Sequence, residues 1–172
     1  MLPRRVRVII RNDQDEVKIP TGVRMLMRRA CTAVLTGEDF NADAEVYVRF
    51  VDDETIRALN KKHRGIDERT DVLSFPLGEN GIYDVNPETG AQMLGDVVIS
   101  MPRAVAQSER FEHSLQREVC YLTVHSLLHL LGYDHTSGGM DLVRMREKEE
   151  AALSKVGLKR NGSYYMDGAE NG

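Results

Sequence analysis

The longest regular pattern in this sequence is an apolar helix predicted over residues 114–131, and it carries two histidines. His125 and His129 are four residues apart, so both imidazoles project from the same side of the helix, one turn from each other. Gly132 follows at the position where a glycine commonly ends a helix. The opposite side of the helix is apolar, through Val124, Leu127, Leu128 and Leu131. The pattern therefore predicts a rigid element that is anchored in the core on one side and presents two imidazoles on the other.

A third histidine, His135, follows the helix-ending glycine. A lone histidine on a helix is usually an ordinary core or surface residue, and an isolated pair at this spacing is a metal site only in a minority of cases. Three histidines around a helix end are harder to explain without a ligand. Three neutral imidazoles without cysteine leave a fourth position for water, as in catalytic zinc sites. We therefore predict one Zn²⁺ per chain, held by His125, His129 and His135 and used for hydrolysis, although imidazole also suits nickel, copper and iron.

The remaining periodicities predict an α+β fold. Alternating or short apolar runs predict strands near residues 6–10, 46–50, 70–76 and 94–100. Helical spacing predicts helices over 21–37, after Asp52 or Asp53, from Pro102 to about residue 112, over 114–131, and a last one that ends at Gly157. Residues 78–91 predict a solvated loop that joins the last two strands as a hairpin. The expectation is a small mixed β-sheet of about four strands packed with about five helices.

Length and composition limit the class of protein. The chain of 172 residues is 41% hydrophobic and 29% charged, which predicts one globular domain over 1–158 and a flexible polar tail over 159–172. No apolar run approaches the roughly 18 residues needed to cross a bilayer. The start does not resemble a secretory signal, and Cys31 and Cys120 are expected to be buried thiols of a reducing compartment. We expect a cytoplasmic protein with no membrane partner.

A basic stretch precedes the third predicted strand and includes Lys61, Lys62, Arg64 and Arg69. On charge alone, a solvated helix end stabilised by the helix dipole is the commoner explanation. An arginine near a metal suits phosphate better than peptide, because the guanidinium binds two phosphate oxygens at once. The net charge of −4 argues against nucleic-acid binding by bulk electrostatics, but it leaves room for a local basic groove.

The histidine spacing also matches the metzincin protease pattern, His-Glu-x-x-His-x-x-Gly-x-x-His, at every position but one. This match predicts that the metal-binding helix is arranged as in zincins. The glutamate that serves as general base in those proteases is replaced by Ser126. A serine hydroxyl does not take a proton from water at neutral pH. Peptide hydrolysis by the usual route is therefore disfavoured, unless a carboxylate from elsewhere in the chain replaces that base.

Three segments together carry a more specific resemblance: RGIDERTDVLSFP, LGDVVIS and HSLLHLLGYDH, in this order along the chain. With these motifs the sequence resembles the YbeY family of bacterial endoribonucleases over nearly the whole predicted domain. The resemblance implies a single-strand-specific, metal-dependent endoribonuclease acting in rRNA maturation and ribosome quality control. It implies zinc ligands at His125, His129 and His135, and catalytic roles for Arg64 and His125. This chain departs from the family pattern at Ser126, where glycine is usual.

The same resemblance implies RNA as the partner, in particular rRNA and ribosomal particles, together with ribosomal or ribosome-assembly proteins. Lys61 and Lys62 are further candidates for substrate binding beside Arg64. The residues leave open whether water or the RNA 2′-hydroxyl is the nucleophile, and whether Ser126 or Asp134 assists. Two other functions stay open: a zinc metallopeptidase, and a non-catalytic ribosome assembly factor with a structural zinc.

Overall fold

A computed structural model describes residues 4–134 and 139–158. Its helices are α1 Val23–Gly37, α2 Asp53–Arg64, α3 Met101–Arg110, α4 Leu115–Leu130 and α5 Gly139–Lys155. Its strands are β1 Val6–Asn12, β2 Ala44–Val51, β3 Val72–Pro76, β4 Gly78–Glu79, β5 Ile82–Val85 and β6 Gln92–Ser100. The α+β class is confirmed, with the expected number of helices among the described residues.

The strands form one mixed sheet around β6. β1 pairs with β2 in parallel, and β2 pairs in parallel with one edge of β6. β3 and β5 both pair antiparallel to β6, so they share its other edge, and β4 pairs with β5. The predicted hairpin of the last two long strands is therefore confirmed as the pairing of β3 with β6.

The segment 78–91, predicted as a solvated loop, contains β4 and β5, which raises the number of strands among the described residues to six. Its composition has low strand propensity, but the open edge of β6 supplies backbone partners. Tyr83 is buried, and its hydroxyl donates to the carbonyl of Leu130 at 2.8 Å. A tertiary contact with the end of α4 thus holds a strand that local sequence does not predict.

A buried carboxylate ties the following turn to β2. Glu45 accepts hydrogen bonds from the Tyr47 hydroxyl at 2.7 Å, the Asn86 amide at 2.8 Å and the Thr89 hydroxyl at 3.0 Å. Burial raises the pKa of this carboxyl, but the hydrogen bonds outweigh it, and the pKa of Glu45 is lowered. The charged form of Glu45 therefore stabilises the turn between β5 and β6.

The main core lies between one face of the sheet and α1, α4 and α5. A smaller cluster of Val51, Ile56, Leu73 and Val98 lies on the opposite face and anchors α2 there. Val98 and Ile99 belong to different clusters because successive side chains of a strand point to opposite faces. The histidine-bearing helix is thus packed on the sheet, while α2 crosses the other face.

Two helix starts are capped by side chains, at the predicted Asp52 and at Ser114. The Asp52 carboxylate accepts from the backbone N–H of Thr55 at 2.8 Å, and the Ser114 hydroxyl accepts from that of Arg117 at 3.1 Å. Pro102 occupies the first turn of α3, as predicted. These local signals place the element boundaries within a residue or two of those expected.

Cys31 and Cys120 are buried free thiols, as expected, and burial raises the pKa of each to about 12. Among the described residues, every helix is too short or too polar to traverse a lipid bilayer. His135 and the predicted tail at 159–172 lie outside the described residues. The expected domain boundary at residue 158 stays a prediction.

Candidate functional site

The site is built on α4, whose packed side is buried completely or nearly so. His125 and His129 are the partly exposed residues in the last part of this helix, together with Tyr121 one turn earlier. The rings of His125 and His129 lie 4.6 Å apart between centroids, edge to face. The structure therefore brings the two histidines together as their spacing predicts.

The end of α4 supplies a hydrogen-bond acceptor for His129. Gly132 has φ 105°, and its N–H donates to the His129 carbonyl at 3.0 Å, while the N–H of Tyr133 donates to the Leu128 carbonyl at 3.0 Å. This pair of bonds is the Schellman arrangement, which a glycine at that position favours. The turn brings the Tyr133 carbonyl to 2.8 Å from His129 Nδ1. A carbonyl only accepts, so Nδ1 of His129 carries the proton.

His125 has a different acceptor, a carboxylate from α5. Its Nδ1 lies 2.5 Å from Oε2 of Glu149, whose side chain is 5% exposed. An ionised carboxylate accepts hydrogen bonds and donates none, so His125 also holds its proton on Nδ1. In this tautomer the lone pair of each neutral ring is on Nε2.

The two Nε2 atoms face each other at 3.1 Å. Two lone pairs at this distance repel unless a positive charge lies between them, either a shared proton or a metal ion. A tetrahedral zinc ion at about 2.0–2.1 Å from each nitrogen separates two ligand nitrogens by roughly 3.3 Å. The observed separation is close to that value, so this donor set fits a bound zinc ion.

The third predicted ligand, His135, lies outside the described residues, and its placement therefore stays a prediction. Within residues 4–134 and 139–158, no three His, Cys, Asp or Glu side chains form a cluster suited to a metal ion. His125 and His129 are the two candidate ligands that the described residues contribute at the end of α4.

Glu149 is a site residue that sequence reasoning missed. It is 4% exposed and lies on the buried side of α5 with Met145, Ala152 and Leu153. That spacing was visible in the sequence, because a glutamate four residues after Met145 falls on the apolar side of an amphipathic helix. A charged residue at a core position requires a partner, and here the partner is His125.

Tyr121 is a second residue that was not singled out. Its ring lies 5.8 Å from that of His125, one turn earlier on the same side of α4. Burial raises the pKa of Tyr121, and the charges of Glu149, Glu118 and Asp71 raise it further. Its hydroxyl therefore stays protonated at neutral pH. The signal in the sequence was the spacing of four residues from His125.

Ser126, which occupies the position of the protease base, is 0% exposed. Its hydroxyl has no hydrogen-bond partner among the residues that the structure describes. It therefore lies on the packed side of α4, where it cannot serve the reaction directly. Asp134, the other neighbour considered, is exposed beyond the end of the helix.

Three residues of the basic stretch lie in the C-terminal turn of α2. Lys61, Lys62 and Arg64 are all exposed, and Gly65, with φ 72°, ends the helix. Arg69 lies beyond the helix, is also exposed, and forms an ion pair at 3.3 Å with Asp53 at the start of α2. The helix dipole favours the cations of the C-terminal turn.

The C-terminal turn of α2 contacts β3 on the face of the sheet opposite α4. The ring of His63 lies 4.9 Å from that of Phe75 on β3, and β3 also packs against α4. The structure thus brings His125 and His129 into direct contact. Arg64 is exposed on the C-terminal turn of α2, and β3 lies between that helix and α4.

Comparison with known proteins identifies the family of this chain. The family model described as Endoribonuclease YbeY matches residues 9–157. The chain belongs to the YbeY family. Among curated members, the Endoribonuclease YbeY of Caldanaerobacter subterraneus subsp. tengcongensis is 47% identical over 160 residues, covering 90% of this chain and 100% of the relative. That of Desulforamulus reducens is 44% identical over 153 residues, covering 89% of this chain and 99% of the relative.

The fold also has a solved counterpart. The solution structure of TM1509 from Thermotoga maritima matches with a TM-score of 0.57 and 21% identity, over 86% of this chain and 90% of that one. At this level of identity the likeness concerns the fold. The resemblance to the YbeY family inferred from the three motifs is confirmed by the family model and by the curated relatives.

Proposed function

We propose that the chain is a zinc-dependent endoribonuclease that cleaves single-stranded RNA. In this proposal it acts in the cytoplasm in rRNA maturation, including 3′-end processing of the small-subunit rRNA, and in ribosome quality control. Its partners would be rRNA and ribosomal particles, with ribosomal or ribosome-assembly proteins. The family's curated members are called endoribonucleases, which supports RNA cleavage as the activity.

The observation that best supports a zinc site is the convergence of two imidazoles. His125 and His129 each direct Nδ1 at an acceptor and Nε2 at the other ring, with the two Nε2 atoms 3.1 Å apart. This is the tautomer that a metal ligand needs, with the second nitrogen held by an outer partner. His135, three residues after the helix-ending Gly132, would complete three imidazole ligands.

Bound zinc would supply Lewis acidity and lower the pKa of a coordinated water. His125 and His129 would hold the zinc ion at the C-terminal end of α4. Arg64 would bind two oxygens of the scissile phosphate and stabilise the negative charge that builds up in the transition state. Lys61 and Lys62, on the same turn, would attract the neighbouring phosphates of the strand.

A peptidase is less well supported by the same residues. A zinc peptidase needs a carboxylate base close to the metal, and the position that supplies it in metzincins holds the buried Ser126. Glu149 is engaged with His125 Nδ1, on the side of the ring opposite the converging Nε2 atoms. A peptide substrate therefore belongs in every assay as a control.

The central experiment compares metal-replete and chelated protein on single-stranded and structured RNA, with metal analysis of the same samples. Cleavage should require metal, should favour the single strand and should be absent for the peptide. His125→Ala, purified identically, separates this activity from trace ribonuclease. If the metal-replete chain binds RNA but cleaves it no faster than His125→Ala, the chain is a non-catalytic assembly factor and the proposal fails.

The phosphate role is tested by Arg64→Glu. Losing a contact made to charge that develops in the transition state typically costs about 10²–10³ in rate, so cleavage should fall at least about 100-fold. Arg24→Glu, the same charge change at an exposed position of α1, is the matched control and should retain activity. Cleavage by Arg64→Glu at near wild-type rate would exclude the proposed role of Arg64.

A further inference from the structure

We propose that Glu149 is a positioning residue that holds the His125 ring in the orientation and tautomer in which its Nε2 faces that of His129. This inference rests on the proposed metal site. It assigns a role to α5, which carries none of the predicted ligands. Glu149 would act through His125 and would not contact the substrate.

The geometry favours this role over that of an ordinary ion pair. The bond from His125 Nδ1 to Glu149 Oε2 is 2.5 Å long, and the two side chains are 20% and 5% exposed. Exposed ion pairs contribute little, but a buried carboxylate without a partner is strongly disfavoured. Since Met145, Ala152 and Leu153 fix the buried side of α5, the carboxylate has little freedom to move away.

The two histidines are oriented by different means. His129 is held by the Tyr133 carbonyl, which lies four residues further along the chain and is placed by the helix-ending turn. His125 is held by a side chain 24 residues away on another helix. The convergence of the two Nε2 atoms therefore depends on the docking of α5 against α4, and Glu149 is the α5 side chain that bonds His125.

The protein contains a matched pair that serves as a control. His113 Nε2 lies 2.6 Å from Oε1 of Glu118, and these side chains are 10% and 3% exposed. This is the same buried imidazole–carboxylate contact, at the start of α4 and formed by a histidine outside the predicted ligand set. Removing the charge of Glu118 measures what such a pair contributes to folding without altering His125.

The experiment uses the full chain, stripped of metal, as wild type, Glu149→Gln, Glu149→Ala and Glu118→Gln. Imidazole ¹⁵N spectra of the metal-free proteins report which ring nitrogen of His125 carries the proton. Zn²⁺ affinity is then measured by competition with a chromophoric chelator. Circular dichroism and thermal unfolding establish that each variant is folded.

Glu149→Ala should lose the uniform Nδ1–H form of His125 and bind Zn²⁺ about 10–100-fold more weakly, as is typical when the outer partner of a ligand is removed. Glu149→Gln keeps an acceptor but loses the charge, so it should retain the tautomer and bind Zn²⁺ more weakly than Glu118→Gln. Glu118→Gln should stay within about threefold of wild type, since His113 is not a ligand in the proposal. If Glu149→Ala does not fold, the comparison of the two glutamine variants decides.

Wild-type affinity in Glu149→Gln and Glu149→Ala, together with an unchanged His125 spectrum, would overturn the role of Glu149. A wild-type chain that binds no Zn²⁺ would instead overturn the proposed metal site. In that case the spectra of the metal-free proteins still decide whether Glu149 sets the tautomer of His125. The two failures are therefore distinguishable.

Discussion

Replacing Ser126 with alanine should stabilise the protein, because the serine hydroxyl is buried without compensation. Ser126 is 0% exposed, and its Oγ has no hydrogen-bond partner among the described residues. In mutational data, burying a hydroxyl without a partner costs about 1–3 kcal/mol. Alanine also has a higher helix propensity than serine, by up to about 0.5 kcal/mol in a helix interior.

One term opposes these gains, since removing the oxygen leaves a small void whose lining loses contacts. The net increase in the free energy of unfolding should be about 1–2 kcal/mol, less than the sum of the two favourable terms. For a domain of about 150–250 residues, each kcal/mol raises the melting temperature by about 2–4 °C. Ser126→Ala should therefore melt about 2–8 °C higher than wild type.

The assay is thermal and urea unfolding in the presence of a chelator, so that metal binding does not contribute to the measured stability. Ser154, exposed on α5, supplies the control, because Ser154→Ala gains helix propensity alone. Ser126→Gly removes the same hydroxyl, but glycine costs about 1 kcal/mol in a helix, so its stability should stay near that of wild type. An alanine at 126 that stabilises no more than the alanine at 154 would refute the reasoning.

Three further substitutions test the scaffold by urea unfolding. Gly95→Ala should lose more than about 2 kcal/mol, since a Cβ there would lie 2.4 Å from the Phe75 carbonyl oxygen at φ +153°; a loss below about 1 kcal/mol would contradict this. Asp52→Ala removes the cap on the Thr55 N–H and should cost about 1 kcal/mol, whereas Asp52→Asn should retain most of the stability. Glu45→Gln should destabilise at pH 7. The pKa of Glu45 is lowered in the folded protein, so its charged form stabilises the fold above the unfolded pKa of about 4.3. This stabilisation is lost as the pH falls through the folded pKa. The difference in free energy of unfolding between wild type and Glu45→Gln should therefore narrow on acidification, and a wider difference would contradict this.

Much of the fold could be predicted because its signals are local. The cap at Asp52, the proline at the start of α3 and the glycine after α4 each act within one helical turn. The alternation of Val46, Val48 and Phe50 likewise predicted β2, in which these three side chains are buried. β4 and β5 escaped prediction because their sequence favours turns, and only the open edge of β6 and the anchor of Tyr83 make them strands.

Some features of the candidate site also follow from local sequence, whereas others depend on tertiary contacts. The pairing of His125 with His129 follows from a spacing of four residues on a helix, which no tertiary contact needs to supply. The acceptor for His129 is also local, because the turn at Gly132 places the Tyr133 carbonyl. Ser126 was recognised as replacing a base, but its complete burial depends on the elements that pack against α4.

The sequence by itself determined the helices and long strands, the two adjacent imidazoles and the basic turn at Arg64, since each depends on residues within a few positions of one another. Only the tertiary structure decided that Glu149 orients His125, that β3 lies between α2 and α4, and that a loop-like segment completes the sheet. These contacts join residues far apart in the chain, and they form because packing of apolar helix and sheet faces brings their polar groups within hydrogen-bonding distance.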